Sequence, residues 1–410
     1  MALIVQKYGG SSVADPDKIA NVANRVLKGY MDGHRMVVVL SAMQGETDRL
    51  INLAREMGDP PDPRELDVIL ATGEQVTVSL FSMFLKAEGV HTTSLLGHQA
   101  CIYTDKAYGR ARIVGIDASR IKELLKKGRI VTVAGFQGVD EVGNITTLGR
   151  GGSDTTAVAV AAALKADLCE IYTDVEGVFT TDPRVCKQAQ LLPKISYDEM
   201  LEMASLGAKV LEIRSVGFAK HYNVHLRVRS TFSEHPGTLV CPEDEEMEAI
   251  PVSGVAFSTQ EARVSITGVP DRPGIAARFF EAVAQANIVV DLIIQNSSVD
   301  GRADITFTVP KGDLLRTLEI VQQVGKEVGT REILSDEHIA KVSIVGVGMR
   351  NNAGVASRMF AALSQAGINI MMISTSEIKI SCVIEDKFTE LAVRVLHDAF
   401  GLDQPRVGKG

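Results

Sequence analysis

The chain of 410 residues has no tryptophan, and aromatic side chains make up only 5% of it. Its five cysteines, at positions 101, 169, 186, 241 and 382, include no C-x-x-C pair. An odd, scattered set of this kind excludes a disulfide framework and a zinc site, and fits reduced thiols in a cytoplasmic protein. Basic residues are outnumbered, 43 against 51 acidic, for a net charge of −8 and a pI near 5.6. That balance removes nucleic acid as the default partner, because phosphate backbones attract basic surfaces. No G-x-x-x-x-G-K-S/T occurs, so a P-loop enzyme is not expected. The N-terminus MALIVQKYGG lacks a signal layout, and no apolar run is expected to approach the span of a bilayer, so no membrane partner is foreseen.

What the chain does have is length for two or three domains and glycine-rich turns set between apolar runs. Ala2–Gln6 is a short apolar run before Lys7-Tyr-Gly-Gly-Ser-Ser12, and Asp15-Pro16 supplies an N-cap and first-turn proline for a helix to about Gly33. Met36–Leu40, Thr92–Leu95, Ile130–Ala134, Leu168–Thr173 and Val224–Val228 read as strands, alternating with helices. The pattern predicts an α/β protein with a mainly parallel central sheet covered on both faces. Ligands of such sheets gather at the carboxyl ends of strands, where Lys7, Ser41-Ala-Met43, Gly135–Gly138 and Thr173-Asp174 fall. Thr147-Leu-Gly-Arg-Gly-Gly-Ser-Asp154 opens a small-residue helix to Leu164, with Ser153 as the expected cap.

Pro242–Pro251 carries five acids and no base, and reads as a solvated linker. An internal repeat follows, in which Val264–Phe280 matches Val342–Phe360. Each copy continues as a helix to Asn287 or Gly367 and an apolar strand, Ile288–Ile294 or Ile368–Ile373. The unit is a ferredoxin-like split βαβ module, and two copies could pair their sheets.

The chemistry can be read at several positions. Lys7 before two glycines suits neutralisation of a transferring phosphoryl group, yet a surface lysine before a tight turn has the same pattern. Asp154 fits a site-organising carboxylate or simple first-turn helix charge. Arg150 offers a planar fork for a carboxylate, and Glu74 near a helix start could meet an ammonium group; together they would hold a zwitterionic amino acid. Thr173–Arg184 is a polar loop after a strand, suited to a nucleotide or to a plain connection. His221 and His225 straddle a helix end and a strand, so metal binding there is not expected.

The order Lys7-Tyr-Gly-Gly, Ser41-Ala-Met, Gly149-Arg-Gly-Gly-Ser-Asp154, Thr173-Asp-Val-Glu-Gly-Val178 and Asp182-Pro-Arg184, followed by paired modules, resembles the aspartate kinases. The resemblance spans essentially the whole chain. It implies an amino-acid kinase fold (three-layer αβα) over residues 1–241, a linker at 242–251, and two ACT modules of βαββαβ type over 252–410. The first copy (262–335) would be inserted into a second built from 252–261 and 336–410, so that Gly254–Ser258 joins the second copy's sheet. The implied reaction is ATP-dependent phosphorylation of the β-carboxylate of L-aspartate, the first step toward lysine, threonine and methionine, and diaminopimelate by a branch. By resemblance Lys7 and Asp154 are the catalytic pair; Ser41, Thr47, Glu74 and Arg150 hold aspartate. Lys7, Gly9, Gly10, Ser153, Thr173, Asp174, Phe179, Asp182, Arg184 and Lys209 belong to the ATP side, with Mg2+ carried by the nucleotide phosphates. Two departures stand out: Gln-Gly-Glu-Thr follows Ser41-Ala-Met, and Phe179 replaces a frequent tyrosine.

The ACT resemblance implies feedback by lysine, threonine or both. Asp271, Gly274, Gln295, Asn296 and Ser297 match the first effector site; Asn351, Asn369, Ser374 and Thr375 are the corresponding stretch of the second copy. It also implies a homo-oligomer, a dimer through the ACT modules, and Met247 leaves room for a separately translated regulatory subunit. The chain's end soon after the second module fits a monofunctional enzyme. Other amino-acid kinases, such as glutamate 5-kinase, would share the fold, and a non-catalytic sensor would share the repeat. The presence of both Lys7 and Asp154 disfavours the sensor.

Overall fold

The computed structural model describes residues 1–207, 210–297 and 301–404. By contact the chain forms two units, one from Met1–Thr180 and Gln190–Ala249, the other from Thr181–Ala189 and Ile250–Gln404. Segment 181–189 therefore groups with the second unit, where Val185 packs against an apolar cluster, and not with the first as its sequence position suggested.

In the first unit β1 (Leu3–Tyr8) runs past the apolar stretch, so Lys7 lies within the strand rather than after it. Helix α1 (Pro16–Met31) follows, N-capped by Asp15, whose carboxylate accepts the Lys18 N–H at 2.8 Å. Next come β2 (Arg35–Leu40), α2 (Glu46–Met57), α3 (Pro63–Leu70), α4 (Thr72–Ala87) and β3 (Thr92–Leu95). Short strands β4 (Ile102–Thr104) and β5 (Ile113–Ile116) precede α5 (Ser119–Lys126) and β6 (Ile130–Ala134). Then β7 (Gln137–Val139) and β8 (Ile145–Thr147) lead to α6 (Gly152–Leu164) and β9 (Leu168–Thr173). The unit closes with β10 (Lys194–Ser196), α7 (Tyr197–Ser205), α8 (Ile213–Tyr222), β11 (Leu226–Ser230), β12 (Thr238–Cys241) and α9 (Glu245–Glu248).

The main sheet has the order β10-β12-β11-β9-β1-β2-β6-β3. It is parallel from β11 to β3, and β12 turns antiparallel at the β11 edge. Helices α1 and α4 cover one face, burying Val22, Val26, Phe81 and Leu85 with Met36, Val38 and Leu40. Truncating Phe81 to alanine there would cost about 3–5 kcal/mol. Helix α6 packs against β1, β2 and β9 on the other face, and Ala157–Ala161 along it are all buried. Its N-cap is Gly151 in the left-handed region (φ +68°), with no side-chain cap bond; Ser153 lies inside the first turn and is not the cap. A second sheet, β5-β4-β7-β8, was not foreseen.

Two further expectations need correcting. The stretch Pro63–Ala87 is long and apolar enough to cross a bilayer by length and composition, although half of it is buried within the protein. It is two helices meeting at Ala71, and α4 packs on α1, β3 and β6 as a core helix. The acidic run is not simply a solvated linker: Asp244 caps α9, Met247 is buried, and Lys194 pairs with Asp244 and Glu246 at 2.6 and 2.7 Å.

In the second unit β13 (Gly254–Ser258) precedes β14 (Glu261–Pro270), α10 (Ile275–Gln285), β15 (Ile293–Ser297), β16 (Arg302–Pro310), α11 (Leu314–Val328) and β17 (Glu332–Asp336). The second copy is β18 (Ile339–Val345), α12 (Val355–Gln365), β19 (Met372–Thr375), β20 (Lys379–Glu385) and α13 (Thr389–Ala399). The sheets are ordered β15-β16-β14-β17 and β13-β18-β20-β19, so β13 completes the second copy antiparallel to β18. Residues 288–292 and 368–371 are not strand, because β15 and β19 begin later. The sheets are not joined by a ladder among the described residues. The copies meet instead through Leu292, Ile339, Met372 and Val383, and through buried Lys341, which pairs with Asp291 and, at 2.6 Å, with Glu261.

Candidate active site

Four segments of the first unit meet at the carboxyl ends of β1 and β2. The end of β1 supplies Lys7, Gly9 and Gly10; the turn after β2 supplies Ser41–Thr47; α4 supplies Glu74; and the loop into α6 supplies Gly149–Asp154. They line a cavity of about 380 Å³. Nine residues singled out from sequence lie on its wall: Lys7, Gly9, Gly10, Ser41, Thr47, Glu74, Arg150, Ser153 and Asp154. Ala42 and Phe136, from the strand-end stretches Ser41–Met43 and Gly135–Gly138, line it too, with Gln44 and the unanticipated Asp48. Of the departing residues 44–46, Gln44 and Gly45 face the cavity, while Glu46 is engaged by Arg49 at 2.7 Å.

Lys7 Nζ lies 2.6 Å from Asp154 Oδ1, with both side chains about one-eighth exposed. The pair is an ion contact by distance, although off the direction of a hydrogen bond. It places a cation from β1 opposite the N-terminus of α6, whose free N–H groups favour an anion between them. Glu74 is buried (3% exposed) in the first turn of α4. Its Oε1 accepts the Ala42 N–H at 3.0 Å, while Oε2 is buried with no partner. Burial pushes its carboxyl up to about 7 against that hydrogen bond. A buried oxygen left without a donor costs free energy unless a ligand supplies one. Arg150 is exposed on the cavity wall, with a guanidinium able to take a carboxylate in two-point fashion. One wall thus attracts a cation, another a carboxylate, and the helix end a phosphate.

The remaining expected residues fall elsewhere. Thr173 and Asp174, beside Gly9 at the end of β9, bond to each other at 3.1 Å and do not line the cavity. Phe179 forms an isolated bridge to Leu191. Asp182 and Arg184 pair at 2.7 Å within the segment that groups with the second unit. Lys209 lies outside the described residues. In the second unit a cavity of about 350 Å³ gathers Asp271, Gly274 and Gln295, with Arg272 and Pro273 between them; Asn296 is not among its lining residues. Ser297 ends β15, Asn351 ends a 3-10 turn, Asn369 precedes β19, and Ser374 and Thr375 lie on β19.

A parallel sheet with a phosphate-ready helix end, a lysine from the first strand and a paired regulatory repeat defines an amino-acid kinase joined to ACT modules. Comparison agrees: the Amino acid kinase family matches residues 2–230, and the ACT domain matches 264–324 and 342–400. An aspartokinase of Pseudomonas aeruginosa is 59% identical over 407 residues, covering 99% of both chains. The crystal structure of E. coli aspartokinase III in complex with aspartate and ADP is similar at TM-score 0.78 and 28% identity, covering 97% of this chain and 99% of that one. The same enzyme in complex with lysine and aspartate gives 0.77 and 27%, with the same coverage. The chain belongs to the aspartokinases of the amino acid kinase family.

Proposed function

We propose that the first unit transfers the γ-phosphoryl group of ATP to the β-carboxylate of L-aspartate in this cavity, and that lysine, threonine or both act on the second unit. The observation that carries the reading is the unpartnered Glu74 Oε2 in a cavity that also presents Arg150. An α-amino acid brings an ammonium for the first and an α-carboxylate for the second, leaving its side-chain carboxylate free to face Lys7. Ser41 and Thr47 add hydroxyls on the same wall.

The β-carboxylate is already an anion at neutral pH, so no general base is required. One carboxylate oxygen bonds to the γ-phosphorus as the bond to the β,γ-bridging oxygen breaks; ADP leaves with that electron pair, and 4-phospho-L-aspartate forms. Catalysis is then positioning and charge neutralisation. Lys7 meets the transferring oxygens, Asp154 holds the ammonium in place, and Gly9, Gly10 and Ser153 offer donors to the phosphates. By resemblance Thr173, Asp174, Phe179 and Lys209 join the nucleotide side in this reading. Mg2+ would arrive on the nucleotide, since it commonly takes one or two carboxylates together with substrate phosphates. When bound it neutralises phosphate charge.

The effector reading is supported by the Asp271–Gly274–Gln295 cavity, where a carboxylate could meet an effector's ammonium. A homodimer through the second unit is supported by exposed Ile293 and Ile373 on the edge strands β15 and β19. Five free thiols support a cytoplasmic location. The test of the catalytic reading is Lys7→Ala: kcat should fall by about 1,000-fold, typical for loss of a group stabilising transition-state charge, with KM for ATP changed far less. A near-normal kcat would remove Lys7 from the chemistry.

A further inference from the structure

Arg150 sits on a loop whose root is Thr147, the last residue of β8. That root is held by a carboxylate absent from the cavity wall. Asp67, on α3, is fully buried and has no ion pair among the described residues. Its partners are all neutral donors. Thr147 Oγ1 donates to Oδ1 at 2.6 Å, the Thr147 N–H donates to Oδ2 at 2.8 Å, and the Gly109 N–H lies 3.0 Å from both oxygens. The turn at Gly109 in its turn abuts the loop: a Cβ on Gly149, at φ +74°, would come within 2.8 Å of the Gly109 carbonyl oxygen. Arg214, from α8, closes the far side by donating to the carbonyls of Leu148 and Arg150 at 2.6 and 2.9 Å.

A buried anion without a counter-ion is costly unless every lone pair is engaged, and here the engagement ties three segments together. Asparagine at this position would set an NH2 group against donors alone. Burial raises the Asp67 carboxyl above the ordinary carboxylate range, while the bonds from Thr147 and Gly109 pull it back.

We propose that Asp67 is a positioning residue for the amino-acid substrate: by binding the Gly109 turn to the end of β8, it sets where the loop presents Arg150. The inference rests on the reading that Arg150 meets the α-carboxylate of aspartate. It predicts a selective defect, because Arg150 lies on the loop three residues from Thr147, whereas Ser153 and Asp154 are fixed in the first turn of α6, and Gly9 and Gly10 do not touch Asp67.

The test is steady-state kinetics on the full chain, varying aspartate and ATP separately, for Asp67→Asn, Thr147→Val and Arg150→Ala. Asp67→Asn should raise KM for aspartate at least tenfold with KM for ATP within twofold. Thr147→Val, which deletes one donor and keeps the shape, should give a smaller rise of about threefold in the aspartate KM alone. This variant carries the test if Asp67→Asn does not fold. Equal shifts in both KM values, or an aspartate KM within twofold of wild type in both variants while Arg150→Ala raises it more than tenfold, would overturn the role of Asp67 and leave that of Arg150 intact. An unchanged aspartate KM in Arg150→Ala would overturn the underlying site reading instead.

Discussion

Helices α3 and α4 each bury one carboxylate, seven residues apart in sequence, and the surroundings treat them in opposite ways. Asp67 is saturated, with neutral donors on both oxygens. Glu74 has one oxygen engaged and the other bare. Burial raises both carboxyls, and at Glu74 it pushes the carboxyl up to about 7. The same cost of desolvation thus buttresses a loop at one site and leaves a buried oxygen without a donor at the other. Whether a buried acid is architecture or binding site is decided by the count of donors facing it, not by its burial.

That contrast can be broken at either end. The largest effect is expected at the bare oxygen. Glu74→Gln should raise KM for aspartate by about 100-fold, the loss of a buried charge-assisted contact worth roughly 2–3 kcal/mol. The same variant should melt higher than wild type at pH 8. A carboxyl whose folded pKa is raised gives stability that is complete below its unfolded value near 4.5 and lost as pH climbs toward 7, and glutamine never incurs that loss. Asp67→Asn should behave oppositely, losing about 1–3 kcal/mol of stability by leaving donors unsatisfied, measured as a lower urea midpoint. If Glu74→Gln destabilised and Asp67→Asn stabilised, the comparison would be inverted.

A smaller effect comes from protonation alone. Because burial pushes the Glu74 carboxyl up to about 7, the aspartate KM should fall by about tenfold from pH 6 to pH 8, about fivefold of it before pH 7, and level off above pH 8. A flat profile would mean that Glu74 does not titrate in the free enzyme. The second unit gives the smallest effect on the catalytic cavity: Asp271→Ala should raise the lysine or threonine concentration for half-inhibition about tenfold, read in an aspartyl-hydroxamate assay. Unaltered inhibition would separate the Asp271 cavity from effector binding.

Much of this was legible before any coordinates, because the apolar strands β3, β6 and β9 and the Asp15-Pro16 helix start are local signals. The Gly254–Ser258 pairing with the second copy came from family resemblance, and β13 does pair with β18 of that copy. The sheet β5-β4-β7-β8 was not legible, since strands of three or four residues carry too little alternation to register. Ile288–Ile294 read as a strand because the run is apolar but for Asp291, and Ile288 and Leu292 are indeed buried, but the ladder starts only at Ile293. Ser153 looked like a cap because the left-handed conformation of Gly151, which starts the helix earlier, leaves no mark beyond glycine itself. Asp67 did leave a trace: a lone acid inside the apolar run Leu66–Leu70. Its partners, 42 and 80 residues away, could come only from the fold.

The central claim is that the bare oxygen of Glu74 receives the ammonium group of aspartate. Calorimetric titration of aspartate into the full chain at pH 7, repeated in buffers of different ionisation heat, counts the protons exchanged on binding. An acid half-protonated near pH 7 and paired with an ammonium should release about half a proton per aspartate bound, and Glu74→Gln should release none. No release from wild type, or the same release from the variant, would contradict the account.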